Sequence, residues 1–243
     1  MKAVILNICP VAKIIDITHN IPKFNIPMGA FILASASTYF PINTIHVAVV
    51  DPGVGVSRRP LLIETKNSFF IGPDNGLLVL AAEKQYIKRI FVLENPALML
   101  KLVSNTFHGR DIFAPAAAHL LNGINPLFFG SQINKLRKPA FTKISRNQKS
   151  IMGEVVYIDG FGNIITNIPA DELNQNLYGK LITVKSPTSK STIEFCRSYS
   201  DTNIGELLAL IGSHGYLEIS ANQANAAAMT KIQIGDKIVI TAP

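Results

Sequence analysis

Apolar positions recur along this chain with two different periods, and the change of period divides it. In the first half, Val47, Val49 and Val50 form a β-branched run that predicts a strand over 46–50 covered on both faces, closed by the turn chemistry of Asp51-Pro52-Gly53. Residues 1–8 read as an apolar helix and 13–17 alternate as a strand. A further helix is expected from near Pro27, burying Phe31, Ile32, Leu33 and Ala34, with Pro41 ending it. Strands follow at 61–64, 68–71 and 89–93, with Pro73-Asp74-Asn75-Gly76 as a turn into a helix running through Glu83. A loop at 106–110 then enters the helical pattern of 112–121, with Asp111 as its N-cap or first-turn acid. This alternation predicts an α/β domain built on a mostly parallel sheet with helices on both faces.

After Gly130 the pattern becomes polar and basic, and from about Ile151 onward strands dominate. Candidates lie at 153–157, 164–167, 181–184, 192–195, 207–211, 216–219 and 237–241, short segments that suggest a small antiparallel barrel or sandwich. The expected organisation is an α/β domain over 1–135, a linker over 136–151 and a small all-β domain over 152–243.

Composition narrows the class. With 243 residues, 48% hydrophobic and 16% charged, the chain can fill a sizeable core. No apolar run is long enough for a membrane span and no signal peptide is visible, so no membrane association and a cytoplasmic location are expected. Cys9 and Cys196 lack metal-ligand or disulfide-framework spacing. The net charge of +7 raises nucleic acid as a partner. Its densest basic stretch, from Lys135 through Arg137, Lys138, Lys143 and Arg146 to Lys149, has only Phe141 as a stacking platform, which argues for an exposed segment and against nucleic-acid binding.

Candidate chemistry sits at two turns. Asp51 lies at the carboxyl end of a strand, where open α/β sheets bind ligands, and Arg58 and Arg59 follow closely. His108 lies in a loop before a helix, beside a glycine that lets a ligand approach the backbone. Singly, each is an ordinary surface turn or surface histidine. Together they supply the Asp, Arg and His needed to polarise a small nucleophile.

These stretches carry a resemblance. Val50-Asp-Pro-Gly-Val-Gly55 with Arg58, Gly72-Pro-Asp-Asn-Gly76, Thr106-Phe-His-Gly-Arg-Asp111, Asp159-Gly-Phe-Gly-Asn163 and Gly212-Ser-His-Gly-Tyr-Leu-Glu218 occur in order along nearly the whole chain. In them the sequence resembles the S-adenosylmethionine (SAM) hydroxide adenosyltransferases, hydrolases related to the SAM-dependent chlorinase and fluorinase. The resemblance implies hydrolysis of SAM to adenosine and L-methionine, with SAM as substrate, no cofactor and no metal. It implies Asp51, Arg58 and His108 as the catalytic set, with His108 orienting or partly deprotonating the water. It places Phe24, Asn75, Phe107 and Gly109 at the substrate in the first domain. In the second it places Asp159, Phe161, Asn163, Tyr199, Ser213, Glu218 and Ala221 at the adenine and methionine ends. It further implies a homotrimer with sites between subunits, the first domain of one chain facing the second domain of its neighbour.

One departure stands out. Family members begin with a strand ending in Thr-Thr-Asp-Phe-Gly, whose Asp grips both ribose hydroxyls, and no such strand precedes Met1; Asp16 matches a different family position. The expectation from this is an uncovered apolar face on the helix over 1–8 and weak or no activity. A second reading follows, a non-catalytic SAM- or adenosine-binding protein that has lost its ribose grip. A third, a basic nucleic-acid-binding module, predicts affinity that falls steeply with salt.

Overall fold

The computed structural model describes residues 1–56, 58–173 and 177–241. The chain folds as two compact units, Met1–Lys138 and Pro139–Pro243.

The first unit contains helices α1 (Lys2–Ile8), α2 (Ile26–Ala36), α3 (Val79–Lys84) and α4 (Ala114–Leu121), with a π-helical turn over Gly109–Phe113 leading into α4. Its sheet is formed by β1 (Ile45–Val47), β2 (Pro60–Thr65), β3 (Phe69–Pro73), β4 (Ile87–Val92) and β5 (Gln132–Ile133), in the order β1-β3-β2-β4-β5. The expected mostly parallel sheet is corrected here. Among the described residues of this sheet only β1 and β3 run parallel, while the pairings β3–β2, β2–β4 and β4–β5 are antiparallel. The cause is connection length, because a parallel neighbour needs a crossover of about a dozen residues. Between β2 and β3 the chain has only Lys66, Asn67 and Ser68, and Thr65 closes that turn through its hydroxyl, which accepts from Ser68 N at 3.0 Å.

Register explains the core. Leu62 lies opposite both Ile71 and Phe91, so the three share a sheet face, and they pack with Ile112, Phe113 and Leu120 from the segment around α4. Ile63 and Phe70, paired on the other face, are also fully buried, so both faces are covered.

Two further expectations for this unit change. The strand over 46–50 is shorter than its pattern suggests. β1 is an edge strand ending at Val47, its buried member is His46, and Val49 is 37% exposed. His46 stacks on Phe70 with ring centroids 4.9 Å apart, and burial lowers its pKa to about 4, so the imidazole is held neutral. Residues 13–17 form no strand, and Ile15 is exposed. In α2 the buried set is Gly29, Ala30, Phe31, Leu33 and Ala34, with Ile32 only half-buried. In α1 no residue is fully buried; Asn122 Nδ2 at the end of α4 donates to Ile8 O at 3.0 Å.

In the second unit, β7 (Ser150–Ile158), β8 (Ile164–Pro169), β9 (Leu181–Lys185), β10 (Lys190–Phe195), β11 (Leu207–Ile211), β12 (Tyr216–Ala221) and β13 (Lys237–Thr241) coincide with the seven expected strands. They run in the order β13-β9-β10-β11-β12-β8-β7, and β13 pairs back onto β7. The result is a closed barrel, which removes free edges from seven short strands. The short strand β6 (Ser145–Arg146) adds to β7, and among the described residues of this unit only β10–β11 is parallel. Val155, Ile164, Ile182, Phe195, Leu217 and Ile238 fill the interior, and helix α5 (Ala226–Thr230) sits after β12. Among the described residues no helix is long and apolar enough to cross a membrane.

Candidate active site

Asp51 follows the sheet edge at β1, and the turn after it returns the chain to β2 with Arg58 two residues before the strand begins. The two side chains meet. Arg58 Nε donates to both carboxylate oxygens of Asp51 at 3.0 Å, and Arg58 Nη2 donates to Oδ2 at 2.5 Å, with both side chains 5% exposed. This is a shielded, forked contact of the kind only arginine makes. The Arg58 guanidinium also lies over the Phe113 ring, 5.3 Å from its centroid.

His108 completes the array from the π-helical turn. Its Nδ1 is 2.7 Å from Arg58 Nη2. A guanidinium has no acceptor, so Nδ1 must present its lone pair and the neutral ring carries its proton on Nε2. Burial, then the nearby Arg58 charge, hold the His108 pKa below its usual 6.5, with Asp51 and Asp111 pulling weakly the other way. The tautomer matters chemically, because the ring then offers a donor at Nε2, while its lone pair is occupied by Arg58.

Loop-to-loop packing brings these groups together across 50 residues of sequence. Gly55 has φ +76°, and a Cβ there would lie 2.2 Å from Asn105 O, so only glycine lets the Asp51 turn rest on the loop before His108. That second loop is tied down by Asp111, which is inaccessible to solvent and accepts from Ser104 N at 2.8 Å and from Arg110 Nε at 2.6 Å. The hydrogen bond from Arg110 does most to lower the Asp111 pKa to about 2, against burial and with help from Ser104. Asp111 is thus a first-turn acid that anchors its loop, and the N-cap position falls to His108.

The other first-unit candidates surround this array. Phe24, 71% exposed and held at φ +68°, lines a cavity of about 310 Å³ together with Thr18, His19, Lys23, Val49 and Asp51. A bulky residue with φ in this region is strained, a feature that gathers at functional sites. Phe107 lies under the Arg110 guanidinium, 5.0 Å from its ring centroid, and a Cβ on the buried Gly109 would meet that ring at 3.6 Å. Asn75 turns inward, since its Nδ2 donates to Val50 O at 2.8 Å and its Oδ1 accepts from Leu77 N at 3.1 Å.

The second-unit candidates form two linked groups. Asp159 organises the turn between β7 and β8, accepting from Phe161 N, Asn163 N and Asn163 Nδ2, each at 2.9 Å. That arrangement leaves Phe161 80% exposed at the turn tip. Glu218 is buried on β12 and accepts from Tyr199 Oη at 2.8 Å, Ser220 Oγ at 2.7 Å and His214 Nε2 at 3.1 Å. Burial alone would raise the Glu218 pKa; the hydrogen bonds from His214, Ser220 and Tyr199 outweigh it, and the net shift is downward. Burial first, then the bond to Glu218 and the nearby Asp159 charge, raise the Tyr199 pKa, so its phenol stays protonated. Tyr216 N donates to His214 Nδ1 at 3.1 Å, which leaves the His214 proton on Nε2 facing the carboxylate. Ser213 is exposed beside this network, and Ala221 ends β12, its carbonyl accepting from Ala224 N at 3.3 Å.

Sequence reasoning quoted His214 within a motif without giving it a role, passed over Ser220, although both stand within four residues of Glu218, and missed Phe113 beneath Arg58 because no local pattern links them. Among the described residues no three His, Cys, Asp or Glu side chains converge on a metal position.

Comparison with known proteins adds a second line. The model of the SAM hydroxide adenosyltransferase N-terminal domain matches residues 1–130, and that of its C-terminal domain matches 153–239. A curated (R)-S-adenosyl-L-methionine hydrolase of Methanocaldococcus jannaschii is 39% identical over 249 residues, covering 99% of this chain and 89% of that protein. Another from Salinispora arenicola is 33% identical, covering 98% of this chain and 90% of that protein. Among solved structures, an uncharacterized conserved protein from Thermotoga maritima shares the fold with a TM-score of 0.85 and 37% identity, over 99% of this chain and 93% of that one.

Proposed function

Because the chain belongs to the SAM hydroxide adenosyltransferase family, we propose that it hydrolyses SAM to adenosine and L-methionine, with the (R) epimer as substrate as the names of its relatives specify. The observation that carries this reading is the unbroken contact chain Asp51–Arg58–His108 at the end of β1.

The sulfonium of SAM leaves C5′ as neutral methionine sulfur and needs no acid. The demanding partner is water, which must be held in line with the C–S bond and given hydroxide character, and positioning of this kind can remove several kcal/mol of barrier. In this chain Asp51 fixes Arg58, and Arg58 in turn fixes the His108 tautomer. His108 Nε2–H and the guanidinium charge then stabilise the hydroxide left when the water gives its proton to solvent, and hold that oxygen toward C5′. The oxygen lone pair forms the bond to C5′, the C5′–S pair passes to sulfur, and the proton lost from water leaves to solvent. On this reading His108 acts as a donor to the nucleophile and does not remove its proton.

Phe24, Phe107 and Gly109 would bound the reacting end of the substrate in the first unit. In the second, Phe161 and Tyr199 offer rings to stack on adenine. Asn163 keeps an acceptor and one N–H for its edge. Ser213, Ala221 and the Asp159 turn would hold the remainder, with Glu218 fixing Tyr199 and His214. A homotrimer with sites between subunits, supported by the family resemblance, and a cytoplasmic location, supported by two buried free cysteines, belong to the same proposal.

Turnover in ¹⁸O-labelled water tests the reaction. One ¹⁸O is expected in the 5′-hydroxyl of each adenosine formed. Tight SAM binding without adenosine release would support the binding-protein reading in its place.

A further inference from the structure

The turn after β3 touches both ends of the loop that carries Asp51 and Arg58. Asn75 Nδ2 donates to the carbonyl of Val50, the residue before Asp51, at 2.8 Å. Asp74, 5% exposed, accepts from Arg59, the residue after Arg58, through Nε at 2.8 Å and through Nη2. The main chain repeats the tie, since Asp74 N donates to Arg59 O at 2.9 Å. The remaining capacity of these groups is directed elsewhere in the fold: Asp74 Oδ1 accepts from Arg137 N at 2.8 Å, Arg59 Nη2 also donates to Lys135 O at 2.9 Å, and Asn75 Oδ1 accepts from Leu77 N. Among the described residues of the loop itself, the main-chain bonds are long turn bonds, Val54 N to Asp51 O at 3.3 Å and Val56 N to Gly53 O at 3.2 Å, beside the Arg58–Asp51 side-chain fork.

Resting on the hydrolase reading, we propose that Asp74 and Asn75 are positioning residues for the reaction: adjacent in sequence, they pin the two ends of the Asp51–Arg58 loop to the end of β3 and thereby set the distance from Arg58 to His108. A loop of this length closed at two neighbouring anchors loses most of its freedom to open, and an array whose parts must stay within a fraction of an ångström depends on that closure. This assigns Asn75 to the loop, where the family resemblance had placed it on the substrate.

The decisive variants are Asn75→Ala and Asn75→Asp, each measured in the native chain and in an Arg58→Ala background. Asn75→Asp keeps the acceptor for Leu77 N and loses the donor to Val50 O, so it reports on the clamp even where the alanine variant folds poorly. The expected result in the native background is a fall in kcat of about tenfold to a hundredfold, the scale of a misplaced array, with KM changed less than about threefold. In the Arg58→Ala background the same change should cost less than about twofold, because the clamp acts through Arg58. A rise in KM with kcat unchanged, or an equal loss in both backgrounds, overturns the proposal.

Long-range ¹⁵N–¹H spectra of His108 give a readout independent of turnover. An unprotonated Nδ1 is expected in the native protein and a mixture of tautomers in Asn75→Asp. Native protein that releases no adenosine sinks the hydrolase reading alone, whereas an unchanged His108 spectrum in Asn75→Asp sinks the clamp alone.

Discussion

The two units each hold a buried carboxylate surrounded by donors, yet they are built in opposite ways. In the first, Asp51, Arg58 and His108 come from two loops and meet only because those loops pack on each other; the contact from Arg58 to His108 spans 50 residues. In the barrel, Glu218 takes two of its three donors, His214 and Ser220, from within four residues, and Asp159 closes a turn onto Asn163 just as locally. Local turns beside the strands hold most of the second arrangement, and the packing of one loop on another holds the first. Such a contrast suits a division of labour in which the first unit carries the chemistry and the barrel carries recognition.

His108→Ala tests that division most severely. Removing the donor aimed at water should lower kcat for SAM by about a hundredfold or more, with SAM affinity little changed. Stopped-flow turnover beside calorimetric binding reads both quantities, and a loss confined to affinity would place His108 with the recognition groups.

Acidification separates the units next. The folded protein keeps His108 neutral with its pKa below 6.5, so its contribution is complete at and above that pH and is lost as pH falls through the lowered value. kcat/KM should therefore be level from pH 7 upward and fall about tenfold per pH unit once His108 protonates. Glu218, lowered from 4.5, contributes above the ordinary glutamate range and loses that contribution only at a still lower pH. Turnover and adenosine binding should accordingly fall in separate steps, one as His108 protonates below 6.5 and the other as Glu218 protonates below 4.5. Simultaneous loss of both would break the comparison.

The smallest effect is expected from Glu218→Gln. Its amide keeps an acceptor for His214 Nε2–H and turns an N–H₂ toward the Tyr199 and Ser220 hydroxyls, which can rotate to accept. The loss of a charged acceptor should cost about 1–3 kcal/mol of stability, seen as a lower Tm, with kcat within about twofold of native. A collapse of kcat comparable to that of His108→Ala would show that the barrel network takes part in the chemistry.

The seven barrel strands were legible because each carries its own short apolar run between Gly-, Pro- or Asn-rich turns, and a strand of this kind needs no distant information. The site residues were legible as motifs, one turn at a time. What each side chain does with its hydrogen bonds was not. Asn75 belongs to a motif read as substrate-facing, and its partner proves to be a carbonyl 25 residues upstream. Arg59, adjacent to Arg58 in sequence, is the tie to Asp74.

The sequence by itself determined the element types, the change from helix–strand alternation to a strand-rich second half, the family, and the identity of Asp51, Arg58 and His108 as the groups to watch. Tertiary structure alone decided that the first sheet is mixed, that the barrel closes through β13 and β7, and that His108 faces its neighbour with a lone pair. The physical reason is one of range. Periodicity and turn chemistry act over a few residues and are written locally, whereas strand direction, barrel closure and a histidine tautomer depend on which groups long connections bring within about 3 Å, and that distance is settled only when the packing of every intervening residue is complete.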